Sequence, residues 1–154
     1  MWRPLLAGLG ILLCAAALAA DAPSCGELAC RANGQAYVTP SGTIIILPGE
    51  QFWIELKIEG NKVVGLVPRK GPGVPNTIQL ELTVKNGATG LIWGNQLDRP
   101  VLFDATSTAP RRETMRLDCP LPPKRYTYHV WTFIPEAVEI GNFSFTQGPG
   151  AKCD

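Results

Sequence analysis

Phe52-Trp53-Ile54-Glu55-Leu56-Lys57-Ile58-Glu59 sets Phe52, Ile54, Leu56 and Ile58 in strict alternation with Trp53, Glu55, Lys57 and Glu59. Ile78-Gln79-Leu80-Glu81-Leu82-Thr83-Val84 repeats the pattern. A period of two sends successive side chains to opposite faces, so each stretch reads as a β-strand with one face in a core. Trp53 falls on the polar face, out of phase with Phe52 and Ile54.

Working outward, shorter apolar runs occur at 43–47, 62–67, 91–93, 101–103, 114–117, 126–134 and 142–146. Turn signals separate them: Pro48-Gly49, Gly60-Asn61, Gly71-Pro72-Gly73, Asn86-Gly87, Pro120 with Pro122-Pro123, and Gly141-Asn142. Gly60-Asn61 has the form of a two-residue hairpin loop. The chain holds 16 Gly and 14 Pro with 45% hydrophobic residues, which fits many turns around a core rather than disorder. The expectation is an all-β chain of about seven to nine short strands, an immunoglobulin-like antiparallel β-sandwich. The two alternating strands are expected to face one another across the sandwich.

Residues 1–19 read as a cleaved secretory signal peptide. Arg3 precedes an apolar run from Leu5 to Ala17, and Ala17-Leu18-Ala19 is a small-x-small cleavage site. The run is shorter than the roughly 20 residues a membrane span needs. Residues 20–154 are then a single β domain, with an irregular segment over 20–40 in which Cys25 to Cys30 has room for one helical turn. The expected location is secreted or periplasmic.

Cleavage removes Arg3 and Cys14. The chain's 14 basic and 13 acidic residues become balanced, which gives no electrostatic basis for binding nucleic acid or an anionic membrane. Cys25, Cys30, Cys119 and Cys153 remain, an even set that reads as disulfide staples in an exported chain. The pairings Cys25–Cys30 with Cys119–Cys153, and Cys30–Cys119 with Cys25–Cys153, both stay open. A zinc site would need a second close cysteine pair, and there is none.

Catalysis has little to build on. His129 is the one histidine, it lies within a strand pattern, and no G-x-S-x-G elbow is present. Asp98, Asp104 and Asp118 do not have the spacing of a calcium loop. Glu55, Glu59 and Glu81 read as solvent-facing. Gly71-Pro72-Gly73-Val74-Pro75 lacks the Lys-Ser/Thr partner of a phosphate loop. No enzyme activity, cofactor or metal is expected. Copper would have only His129 and Met115 as ligands once the cysteines are oxidised.

Binding has more support. The stretch Tyr126–Ile134 carries Tyr126, Tyr128, Val130, Thr132 and Ile134 on one face, and Thr127, His129, Trp131 and Phe133 on the other. Both faces are too apolar for a strand with one wet side. Either it is a central strand, covered twice, or one face is an aromatic contact surface. Loop 68–76, with Arg69 and Lys70, is a second candidate, since a rigid charged loop loses little entropy on binding. Trp53, Arg69, Lys70, His129 and Trp131 are therefore the candidate binding residues. The function they suggest is recognition of a protein or peptide partner, as an envelope accessory factor or an inhibitor of an extracellular hydrolase. A small-ligand or copper carrier and a structural subunit of a surface assembly are the alternatives. Asn142-Phe143-Ser144 also matches the N-glycosylation pattern.

Overall fold

The computed structural model describes residues 37–117 and 119–145. Residues 1–19, where a signal peptide is expected, and Cys25, Cys30, Cys153 and Asp118 lie outside the described residues, and with them the helical turn expected at 25–30. The described chain forms nine strands and no helix: β1 Ile44–Ile46, β2 Gln51–Glu59, β3 Lys62–Arg69, β4 Thr77–Lys85, β5 Ala88–Asn95, β6 Leu102–Ser107, β7 Thr114–Arg116, β8 Tyr126–Trp131 and β9 Val138–Ser144. Every ladder is antiparallel. They make a four-stranded sheet, β1-β9-β6-β7, and a five-stranded sheet, β3-β2-β4-β5-β8, as in a β-sandwich.

Local chemistry explains the hairpins. Asn86 and Gly87 both take positive φ, 52° and 78°, so β4 turns back into β5 through a loop whose twist matches the strands. Gly60-Asn61 closes β2 onto β3, with Glu59 paired to Lys62. Between Leu102 and Asp104 the β6–β9 register shifts by one residue, and Asn142 at φ 56° sits in the bulge.

The alternating strands fill the core as expected, but their arrangement differs. β2 and β4 are neighbours in one sheet, with Ile54 paired to Ile78 and Phe52 to Leu80, rather than opposed across the sandwich. Phe52, Ile54, Leu56, Ile78, Leu80, Leu82, Leu91, Trp93 and Trp131 from the five-stranded sheet join Ile44, Ile46, Ala105, Val138 and Ile140 from the other in one buried cluster. Trp93 meets Phe103 edge-on at 5.2 Å. The last strand starts at Val138, four residues before the expected Asn142. Val138 and Ile140 carry its buried face, and Gly141-Asn142 is an interruption within the strand rather than its start.

One polar residue sits at the heart of the crossover between sheets. Asn95 is fully buried at the end of β5. Its Nδ2 donates to the Arg99 and Leu121 carbonyls, each at 2.9 Å, and its Oδ1 accepts from the Leu97 N–H at 2.9 Å. Its backbone N–H donates to the Arg125 carbonyl, and its carbonyl accepts from the Lys124 N–H. Two other buried polar atoms, Thr89 Oγ1 and Trp93 Nε1, have no hydrogen-bond partner among the described residues.

These opposite cases give opposite expectations. Asn95→Ala takes the partner from the Leu97 N–H and the Arg99 carbonyl and leaves the Leu121 carbonyl with only the Val101 N–H, and should cost about 2–4 kcal/mol in denaturant unfolding. Thr89→Val keeps the shape and removes an unpaired hydroxyl, so unfolding should move to higher denaturant, by roughly 1 kcal/mol.

Candidate functional site

The outward face of the five-stranded sheet collects the side chains left over by the core. Cross-strand register lays them in rows: Arg69–Trp53–Gln79–Gly94–Tyr126, then Gln51–Glu81–Ile92–Tyr128, then Thr83–Gly90–Val130. Alternation in β2, β4, β5 and β8 puts these residues opposite the buried set.

β8 is an edge strand, paired only with β5 among the described residues, and not the doubly covered central strand. Its outward face is exposed: Tyr126 is 56%, Tyr128 71% and Val130 49% accessible. Tyr126 does not simply project. Its ring lies over Gly94, where an added Cβ would fall 2.2 Å from Cε1. The Tyr126 hydroxyl accepts from Gln96 Nε2 at 2.8 Å and donates to Gln79 Oε1 at 3.2 Å. The ring therefore crosses β5 to reach β4 and shows its other side to solvent.

At the far side of the same face sits a charged group. Glu55, which reads as solvent-facing in the sequence, is buried. Its carboxylate is bound by Lys57 through Oε1 and by Arg69 through Oε2, with the Arg69 Nε bond at 2.9 Å. Burial pushes the Glu55 carboxyl up, but the hydrogen bonds and charges of Lys57 and Arg69 outweigh it and hold the carboxyl below its usual range. Arg69 is thereby fixed beside Trp53, its register partner.

The candidate residues thus divide. Trp53 and Arg69 come together on the outer face; Trp53 is half-buried there. Arg69 belongs to β3 rather than to a loop, because Pro68 is tolerated on that edge strand. The connecting loop shrinks to 70–76, with Lys70 exposed at its start. Trp131 is a core residue, 2% exposed, and so offers no contact surface. His129 shares its side of β8 and stacks edge-on against Trp131 at 4.6 Å. Burial lowers the His129 pKa, against a smaller upward pull from the Glu113 charge. Met115 is half-buried on β7. Among the described residues no three His, Cys, Asp or Glu side chains cluster as metal ligands, and no helix is long and apolar enough to cross a membrane.

Sequence reasoning placed Tyr126, Tyr128 and Val130 on one face but singled out Trp131 on the other. Gln79 and Gly94 were missed. The available signal was Gly90-Leu91-Ile92-Trp93-Gly94, in which glycines on one face leave hollows for a neighbouring strand's rings. No family model, curated protein or solved structure shows significant similarity to this chain.

Both perturbed groups destabilise the fold in acid. Their folded pKa values lie below the unfolded ones, so each contribution is present above the unfolded value and lost as pH falls through the folded one. Acid should weaken the fold in two stages, first as His129 gains a proton below about pH 6.5 and then as Glu55 does below about pH 4.5. Glu55→Gln should lower stability by about 1–3 kcal/mol at pH 7 and match the wild type at the acid end. Urea unfolding across pH measures both stages.

Proposed function

We propose that this protein is an exported, non-catalytic binding domain that recognises a protein or peptide partner through the outer face of its five-stranded sheet. The observation that carries the reading is the exposed row Tyr126, Tyr128 and Val130 on an edge strand, continuous in register with Trp53 and Arg69. Tyrosine and tryptophan supply large contact areas at low conformational cost, and each has a polar tip to fix orientation. Arg69 held by Glu55, and Tyr126 held by Gln79 and Gln96, lose little freedom when a partner arrives.

The finer fold assignment belongs to the same proposal. An immunoglobulin-like sandwich is supported by its two antiparallel sheets and by the tryptophans packed between them. Disulfide stapling and a secreted or periplasmic address are supported by the even set Cys25, Cys30, Cys119 and Cys153 and by the signal-like first nineteen residues. As an inhibitor the protein would bring Arg69 and Lys70 at the β3 end to a hydrolase, with the aromatic face alongside.

The test compares the wild-type protein with Tyr128→Ser/Val130→Ser as affinity baits in the extracellular or periplasmic fraction of its own source. Both side chains are exposed, so the double variant should stay folded and lose the retained partner by at least about tenfold. Equal retention by both baits would remove the face from the interaction. Binding to purified proteases and lysozymes, measured with the same pair, checks the inhibitor form.

A further inference from the structure

The edges of the two sheets are not alike. β1 and β7 span only Ile44–Ile46 and Thr114–Arg116. β3 carries Pro68, which has no N–H to offer, and begins at Lys62. β8 has none of these protections. Tyr126-Thr127-Tyr128-His129-Val130-Trp131 contains no proline, glycine, lysine, arginine or carboxylate. Unprotected edges of aromatic and β-branched residues are templates for pairing with another chain.

The ladder fixes which backbone groups face outward. The Asn95 N–H donates to the Arg125 carbonyl at 2.9 Å. Hydrogen-bonded and non-bonded pairs alternate along an antiparallel ladder. Trp93–Thr127, Leu91–His129 and Thr89–Trp131 are therefore the bonded pairs. The N–H and C=O groups of Tyr126, Tyr128 and Val130 point away from β5. These same residues carry the exposed side chains of the outer face. Among the described residues these outward backbone groups pair with no other strand, and the exposed side chains lie along the same edge.

We infer that this surface takes a second copy of the chain, β8 pairing antiparallel with β8 about a two-fold axis through Tyr128. The three outward-facing residues are symmetric about Tyr128, as a two-fold contact requires. Tyr128 of one copy then meets Tyr128 of the other, and Tyr126 meets Val130. Each set of N–H and C=O groups gains a partner, and the two five-stranded sheets become one continuous sheet. Charge permits this occupant and sets the direction. Lys124 and Arg125 precede β8, so antiparallel self-pairing holds the two basic pairs at opposite ends. A parallel pair would bring them together. The uncharged strand between them places no like charges face to face.

Sedimentation of the purified protein over a concentration series tests the pairing. The wild type should approach twice the monomer mass. Tyr128→Pro removes an outward N–H and leaves the β5 ladder its donors, so it should fold and sediment as a monomer. Should the proline disturb the strand, Tyr128→Lys puts two ammonium groups opposite one another and should weaken the dimer at least about fivefold, with unfolding unchanged. Tyr128→Cys should form an inter-copy disulfide on mild oxidation beyond any seen in the wild type, and Thr127→Cys should not. A wild type that stays monomeric throughout overturns the inference, as does a dimer unaffected by both substitutions at 128.

Discussion

Asn95 is the residue on which the arrangement of the sandwich turns. A crossover that leaves one sheet and enters another must bury backbone groups that no strand pairs, and each unpaired group is costly. Asn95 answers this with every polar group it has. Its side chain serves Leu97, Arg99 and Leu121, and its backbone serves Lys124 and Arg125. Leu97 and Arg99 lie on the path from β5 towards β6, and Leu121, Lys124 and Arg125 on the path into β8. The same residue therefore ties the two sheets together and sets the register from which the outward groups of β8 follow.

Much of the fold was legible in the alternation of Phe52–Ile58 and Ile78–Val84, because burial on one face of a strand leaves a period of two that needs no tertiary knowledge. What alternation does not carry is which strand lies beside which. The pattern of β2 and β4 is equally compatible with facing and with adjacent strands, and they are adjacent. The start of β9 was obscured for a local reason: Gly141-Asn142 has turn chemistry, but here serves a bulge that keeps Val138 and Ile140 on the core side. Asn95 was illegible, since the partners of its side chain come from segments up to 26 residues away.

The candidate site was half legible. The aromatic excess of residues 126–134 marked the right strand, yet the choice of Trp131 depended on not knowing that β8 lies at an edge. With only one sheet neighbour, the larger indole goes to the core and the tyrosines go to water. Glu55 shows a different limit. Its partners are two residues along the same strand and across the hairpin, so only the register Trp53–Arg69 and Glu55–Val67 reveals that a carboxylate can be buried there. In turn this carboxylate makes Arg69 part of a surface and not of a loop.

The ring of Tyr126 over Gly94 has a mechanical consequence. The ring needs a glycine beneath it; a slide of two residues would drive it onto Ile92 or Gln96. A slide of one would turn Trp131 out of the core, since its side of the strand would face water. β8 is thus keyed at its first residue from above the sheet and at its last from below. A strand keyed at both ends cannot slip, so whatever pairs with it meets backbone groups at fixed positions along a rigid ruler.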